Sequence, residues 1–114
     1  MSHRISQVNN LLRNELSKLV AREVEFDDAV VTLMRVEAEA DLKKARVFVR
    51  VLPKEKTRDS LSRLNKRAPF LQSRINKELS MRFVPKLSFS IDQQTDKIDE
   101  ATEVEQLLDS LKNQ

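Results

Sequence analysis

Several residue types are absent from this chain or nearly so. It contains no cysteine and no glycine, and its single histidine is His3. Without cysteine the chain cannot form disulfides or thiolate metal sites. One imidazole cannot complete a closed zinc site, and a histidine this near the N-terminus is typically a frayed surface residue. We therefore expect no bound metal and no cofactor.

The lack of glycine also excludes several nucleotide-binding and catalytic motifs. The Walker phosphate loop, the dinucleotide-binding fingerprint, the Gly-x-Ser-x-Gly elbow and the Gly-x-x-Gly clamp of ordinary KH domains all need glycine's small size or positive φ. The adjacent carboxylates Asp27 and Asp28 lie in a segment typical of a solvated loop. We therefore expect a protein without enzymatic activity.

Long apolar runs are absent as well. The longest, such as residues 29–31, contain three residues, whereas a membrane-spanning helix needs about 20. We find no secretory signal, and the lack of cysteine suits a reducing compartment. The sequence therefore predicts no membrane association and a cytoplasmic location.

Basic residues are concentrated in the middle of the chain. The net charge is +3 overall, but residues 42–86 hold 14 basic and 3 acidic groups, while the segments on either side are acidic. Such a distribution indicates a polyanionic partner for the middle segment, and RNA is the leading candidate. The alternative is a solvated surface rich in lysine and arginine.

Apolar spacing predicts the elements of the first half of the chain. Helical spacing over residues 3–20 predicts an α-helix. Alternation over residues 45–51 predicts a half-buried strand with a basic outer face. Alternation from residue 30 changes parity after Leu33, which predicts a strand with a bulge or with two partly covered faces. A turn over residues 41–44 would join these strands as an antiparallel hairpin.

Residues 57–82 form the segment around which the rest is organised. Their apolar positions have helical spacing, and Pro69 interrupts them. Because proline disfavours the α conformation in the residue before it but suits the first position of a helix, we expect one helix to end near Arg67 and a second to start at Pro69. A single kinked helix is the alternative. The sequence Phe83-Val84-Pro85 should end the second helix.

The remaining segments complete an α+β domain. Residues 87–91 alternate as a third strand. Residues 98–111 repeat apolar positions at helical spacing and are acidic elsewhere, which predicts a C-terminal helix. We expect a small three-stranded sheet with helices on one face. The domain should cover residues 1–92, and residues 93–114 should be an acidic, helical extension.

The candidate RNA-binding residues are the exposed cations of the helix pair, with two more on the second strand. Phosphate contacts of this kind would position the protein without reading bases. Phe48 could stack on a base or simply shield the sheet. The rival function is a protein–protein adaptor whose basic face binds an acidic partner. The candidates are Arg58, Arg63, Lys66, Arg67, Arg74 and Lys77, extended across the sheet edge by Arg46 and Arg50.

Three ordered blocks resemble the ribosome-binding factor A family. The first comprises Arg4-Ile5-x-x-Val8 and the following Glu-Leu-Ser at residues 15–17. The second and strongest is VTLMRVEAEADLKKARVFV, residues 31–49. The third is MRFVPKLSFSID, residues 81–92, which matches the pattern Arg-x-Val-Pro-x-Leu-x-Phe-x-x-Asp.

This resemblance implies a fold and a function. The fold would be a type II KH-like domain: helix, two strands, kinked helix pair, strand. The function would be non-catalytic binding to the small (30S) ribosomal subunit and its 16S rRNA during late maturation and pre-rRNA processing, with a link to growth in the cold. A GTPase would assist release, and we expect the protein to be a monomer.

The chain departs from the family at the expected helix break. The family has Ala-x-Gly there, and alignment on Phe70-Leu71 places Arg67-Ala68-Pro69 at that point. Proline has no N–H and cannot adopt positive φ, so a phosphate contact through that backbone amide would be lost. We expect the side chains of Lys66 and Arg67 to compensate.

Overall fold

A computed structural model describes residues 3–93. The elements in chain order are α1 (His3–Glu23), β1 (Val30–Ala38), β2 (Lys44–Leu52), a 3₁₀ turn (Lys54–Lys56), α2 (Thr57–Glu78) and β3 (Lys86–Ile91). The helix predicted over residues 98–111 lies outside the described residues. The predicted hairpin and third strand are confirmed, and α1 continues three residues beyond its predicted end at Val20.

The three strands form one sheet in the order β1-β2-β3. β1 and β2 are antiparallel, and β3 is parallel to β2. The crossover helix α2 therefore returns the chain to the end of the sheet at which β2 starts. Both helices pack on one face of this sheet, and the α+β prediction is confirmed. The core between helices and sheet is apolar and its central side chains are fully buried: Leu12, Leu16, Leu19, Val47, Val49, Leu64, Leu71 and Ile75.

A β-bulge explains the change of parity in β1. Leu33 pairs with Val49 and Arg35 pairs with Phe48, so Met34 is an extra residue in the ladder. The insertion turns Val36 back toward the helices, where only 4% of it is exposed, and leaves Arg35 on the opposite face. The predicted bulge is confirmed.

The β1–β2 turn places a leucine in a conformation that usually favours glycine. Leu42 has φ of 61°, and its side chain is partly buried against the core. The turn is closed by the N–H of Leu42, which donates to the carbonyl of Glu39 at 2.8 Å. The Asp41 carboxylate accepts a hydrogen bond from the N–H of Lys43 at 3.0 Å. Burial of the leucine and these bonds offset the cost of the left-handed backbone.

The predicted break in the second helix is wrong, because α2 continues through Pro69 without interruption. Leu64, Leu71 and Ile75 lie on the same face of α2 and are fully buried on both sides of the proline. Pro69 lies on the exposed face, so the carbonyl of Asn65, which loses its helical donor, can bond to water. Core burial at these positions outweighs a proline cost of about 3 kcal/mol.

The C-terminal end of α2 also differs from the prediction. The helix ends at Glu78, and Leu79 is already extended, with φ of −95° and ψ of 139°. Leu79 nevertheless remains in the core with 8% exposure. The apolar spacing continues past the helix because Leu79 is buried as an extended residue.

One side chain of α2 holds the start of β3. The amide nitrogen of Gln72 donates to the carbonyl of Pro85 at 3.1 Å, and its amide oxygen accepts from the N–H of Leu87 at 2.9 Å. The crossover helix and the strand that it delivers are therefore fixed by polar contacts as well as by the core.

An ion pair on the face away from the helices joins β1 to the end of β3. Nη1 of Arg35 donates to Oδ1 of Asp92 at 2.6 Å, and the Asp92 side chain is only 2% exposed. Nε of Arg35 donates to the more exposed Glu37 at 2.9 Å. Hydrogen bonds to Glu37 and Asp92 raise the pKa of the Arg35 guanidinium above its usual value. The guanidinium also lies 4.1 Å from the centre of the Phe48 ring.

We expect Pro69→Ala to stabilise the protein, because alanine restores the hydrogen bond to the Asn65 carbonyl. Replacing proline stabilises the folded helix by about 3 kcal/mol. Because proline also restricts the unfolded chain, its removal costs roughly 1 kcal/mol of that stabilisation. Urea denaturation should show a free energy of unfolding about 2 kcal/mol higher. Ser73→Ala, also exposed on α2, is the control and should change it by at most about 0.5 kcal/mol. Equal stability of the proline and alanine proteins would contradict the unbroken helix.

We expect Asp92→Ala to lower the free energy of unfolding by about 1–3 kcal/mol, because it leaves the Arg35 guanidinium without its buried partner. Glu37→Ala removes the other carboxylate, which is 57% exposed, and should cost less than about 1 kcal/mol. Thermal and urea unfolding of both variants measure the difference. A larger loss from the Glu37 variant would show that the exposed contact is the important one.

Candidate nucleic-acid interface

The structure brings five of the eight candidate cations together on α2. Their spacings of three, four and seven residues place them along one side of the helix, and we call this group the α2 stripe. Fourteen residues separate its ends, a length of about 21 Å. The stripe consists of Arg63, Lys66, Arg67, Arg74 and Lys77.

The other three candidates lie elsewhere. Arg58 is five residues before Arg63, which places it about 140° around the helix from that residue. Arg46 and Arg50 alternate with buried residues of β2, so they lie on the sheet face that the helices leave uncovered. The sheet and the core therefore lie between these two arginines and the α2 stripe, so the two groups do not form one continuous surface.

Two arginines of the stripe contact carboxylates of α2 itself and groups at or just after the end of α1. Arg74 lies 3.3 Å from Glu78 and 3.8 Å from Glu23. Arg63 lies 3.0 Å from Asp59, and its Nη1 donates to the backbone carbonyl of Glu25 at 3.2 Å. These pairs are partly exposed, and such pairs contribute at most about 1 kcal/mol. Phosphate oxygens can therefore replace the carboxylates at little cost.

The remaining members of the stripe are available to an external anion. Within residues 3–93, Lys66, Arg67 and Lys77 form no ion pair. The guanidinium of Arg67 lies 4.2 Å from the centre of the Phe70 ring, and that of Arg74 lies 5.7 Å from it. Phe70 packs against the core. It therefore orients two cations before any ligand binds.

Phe70 is the site residue that sequence reasoning missed. The motif Arg67-x-x-Phe70-x-x-x-Arg74 has the helical spacing of three and four residues at which side chains meet. That spacing was sufficient to predict the contacts, because an aromatic ring between two arginines on one helix face is a typical cation–π arrangement.

On the uncovered sheet face, the ring of Phe48 is in contact with two neighbouring arginine side chains. The guanidinium of Arg35 lies 4.1 Å and that of Arg46 5.9 Å from its ring centre. Arg35 is itself held by Asp92. Of the two roles considered for Phe48, this packing favours shielding of the sheet over stacking on a base.

The Arg67-Ala68-Pro69 motif forms part of the continuous helix and not a loop. Backbone N–H groups inside a helix are already bonded to carbonyls four residues earlier. Any phosphate contact at this point must therefore come from side chains, and Lys66 and Arg67 are the cations nearest to Pro69.

Residues 3–93 show neither of two other kinds of site. That segment contains no group of three or more His, Cys, Asp or Glu side chains able to hold a metal ion. No helix within it is long and apolar enough to cross a membrane.

Comparison with known proteins identifies relatives over most of the chain. The model of the family Ribosome-binding factor A matches residues 4–108. Ribosome-binding factor A from Akkermansia muciniphila is 37% identical over 92 residues, which cover 81% of this chain and 74% of the relative.

Two structures share the fold. The crystal structure of ribosome-binding factor A from Thermus thermophilus has a TM-score of 0.65 at 19% identity, with 76% of this chain and 93% of that chain covered. A homology model of the Thermus thermophilus protein, fitted into a cryo-EM map of a 30S–ribosome-binding factor A complex, has a TM-score of 0.55 at 23% identity, with 70% and 90% covered. Because the family model spans most of the sequence and curated relatives exceed 30% identity, this chain belongs to the ribosome-binding factor A family.

Proposed function

We propose that this protein is a non-catalytic assembly factor that binds the small (30S) ribosomal subunit and its 16S rRNA during late maturation and pre-rRNA processing. Membership of the ribosome-binding factor A family is the observation that carries the proposal. The Thermus thermophilus relative fitted into a map of a 30S complex supports it. Ribosomes as partners would place the protein in the cytoplasm.

The α2 stripe is the surface that we assign to the RNA. It presents five cations over about 21 Å, and for comparison double-stranded DNA carries about one phosphate charge per 1.7 Å of axis. Several phosphates can therefore lie within its length. Because Arg67 and Arg74 rest on Phe70, less side-chain entropy is lost when they bind.

Recognition by this stripe would depend on charge and shape. Phosphate contacts position a protein on a nucleic acid, and A-form RNA is recognised largely by its contour. The chain has only five aromatic residues, all phenylalanine, and the ring of Phe48 is covered by Arg35. Specificity would therefore come from the folded form of the ribosomal RNA.

The family resemblance supplies further parts of the proposal. The element order agrees with a type II KH-like domain, with one continuous helix in place of the kinked pair. Release with the help of a GTPase, action as a monomer and a role in growth in the cold belong to the same proposal.

We expect the double variant Lys66→Ala/Arg67→Ala to weaken binding to a small-subunit rRNA fragment, because two phosphate contacts are lost. Each lost contact should also reduce the slope of log K against log salt by about 0.7–0.9. Fluorescence anisotropy titrations at several salt concentrations measure both quantities. For the unaltered protein with about five contacts, a fourfold rise in salt should weaken binding by roughly 10²-fold.

The matched control is Lys44→Ala/Arg46→Ala, which removes the same charge from two exposed positions on the opposite sheet face. It should leave the salt slope unchanged and reduce affinity much less. If the control variant loses as much affinity and slope as the α2 variant, the proposed surface is wrong.

We expect the protein in cell extracts to sediment with free small subunits and not with assembled ribosomes, because its proposed substrate is the maturing subunit. Sucrose-gradient fractions probed for the tagged protein provide the measurement. Ribonuclease treatment before affinity purification tests the rival function, since an RNA-dependent partner is lost and a protein partner of an adaptor is kept. Retention of an acidic protein partner without ribosomal particles would favour the adaptor.

A further inference from the structure

A cleft with an exposed aromatic ring lies beside the start of β3. It has a volume of about 1030 Å³ and is bounded by the start of α1, the β1–β2 turn and the link between α2 and β3. We call it the α1 cleft. Its apolar lining consists of Val8, Leu11, Leu42, Met81, Phe83 and Val84.

Phe83 is the apolar lining residue that is most open to solvent. It is 74% exposed, and Leu11 follows at 40%. The other apolar lining residues are buried or partly buried against the core. The apolar surface that the α1 cleft offers to a ligand is therefore chiefly a flat phenyl ring, which suits another planar ring stacked on it.

The rim of the α1 cleft is basic. Arg4, Lys43 and Arg82 line it and are exposed, and within residues 3–93 none of them forms an ion pair. The only carboxylate in the lining belongs to Asp41, which accepts a hydrogen bond from the N–H of Lys43 at 3.0 Å. The guanidinium of Arg82 lies 5.5 Å from the centre of the Phe83 ring. The charge of the rim therefore favours an anionic ligand beside the ring.

A nucleotide combines the two properties that this cleft requires. Its base is a planar ring system that stacks on aromatic side chains, and its phosphate is an anion that arginine and lysine bind. An acidic peptide also matches the charge, but its aliphatic side chains need an open aliphatic pocket. Because most aliphatic residues of the lining are already packed against the core, the α1 cleft fits a nucleotide better than a peptide.

We propose that the α1 cleft binds an unpaired nucleotide of the RNA, with its base stacked on Phe83. The adjoining phosphates would be bound by Arg4, Lys43 and Arg82. Bases inside a duplex are covered by their neighbours, so only an unpaired nucleotide can present a base to the ring. This inference rests on the proposed function, because it assigns a second contact to the same RNA.

The α1 cleft lies within reach of an RNA bound to the α2 stripe. Lys77, the last residue of the stripe, is five residues before Arg82, so their Cα atoms are at most about 18 Å apart. The stripe itself is about 21 Å long. Because the gap is no longer than the stripe, one RNA molecule can contact both surfaces.

The two surfaces would contribute differently to binding. The α2 stripe contacts phosphates, and its contribution falls as the salt concentration rises. Stacking on an aromatic side chain releases no counterions, and every base has a face that can stack. The α1 cleft therefore selects an unpaired nucleotide over a paired one without selecting a sequence.

Tryptophan fluorescence of the full chain tests for stacking. Because the protein has no tryptophan, Phe83→Trp introduces a single indole, whose emission is quenched when a base stacks on it. We expect this emission to fall by about half or more with the small-subunit rRNA fragment and with single-stranded oligoadenylate. Polyphosphate, which has the charge without the bases, should leave it unchanged. Leu52→Trp, at an exposed position at the other end of β2, is the control and should not be quenched.

Affinity measurements provide a second test. Phe83→Ala should weaken binding of the rRNA fragment by roughly 5- to 150-fold, the usual effect of losing one base–aromatic stack. The slope of log K against log salt should stay the same, whereas Lys66→Ala/Arg67→Ala should lower it. Leu11→Ala, the matched control, should leave the affinity nearly unchanged. Because Phe83 is largely exposed, its replacement should not unfold the domain.

The possible failures are distinguishable. If the rRNA fragment binds with the expected salt slope but does not quench Phe83→Trp, or if Phe83→Ala binds it as tightly as the unaltered protein, the stacking site is wrong and the proposed function stands. A blue shift of the Phe83→Trp emission with a peptide of glutamate and leucine, without quenching by RNA, would show a protein partner and would overturn the stacking site as well. If the unaltered protein shows no salt-dependent binding to the fragment, both proposals are wrong.

Discussion

Burial of one face of β2 determines most of this structure. Val47 and Val49 are fully buried and belong to one core cluster with leucines of both helices and Ile75 of α2. Since β2 is the central strand, this contact holds the hairpin, the crossover helix and β3 in a single core. Burial of one face of β2 also leaves two chemically different surfaces on opposite sides of the domain. The helical side carries the α2 stripe, and the sheet side carries arginines held by Phe48 and Asp92.

Much of the fold follows from local patterns in the sequence. Alternation in β2 and the parity change in β1 correspond directly to pairing in the sheet and to the bulge at Met34. The continuity of α2 could not be predicted in the same way. A proline breaks or preserves a helix according to the burial gained on either side of it, and that gain depends on contacts with α1 and the sheet. The sequence shows that Pro69 is present, but it does not show that Leu64 and Leu71 on either side of it are fully buried.

The site was predicted in part. Helical spacing is sufficient to group the five cations of the α2 stripe and to place Phe70 among them. The separation of Arg46 and Arg50 from that stripe was also implicit, because residues that alternate with buried ones must face away from the helices that bury them. The ion pair with Glu23 and the hydrogen bond to the carbonyl of Glu25 depend on the packing of α1 against α2, for which the sequence carries no local pattern.

The bidentate contact of Gln72 has a consequence for how the molecule behaves at high concentration. β3 is an edge strand, and unpaired backbone groups at an edge can recruit a strand from another molecule. Gln72 occupies the carbonyl of Pro85 and the N–H of Leu87, so an incoming strand finds the first donor and acceptor of this edge already bonded. A glutamine on the crossover helix thus protects the sheet from growing into a polymer at the point where β3 begins.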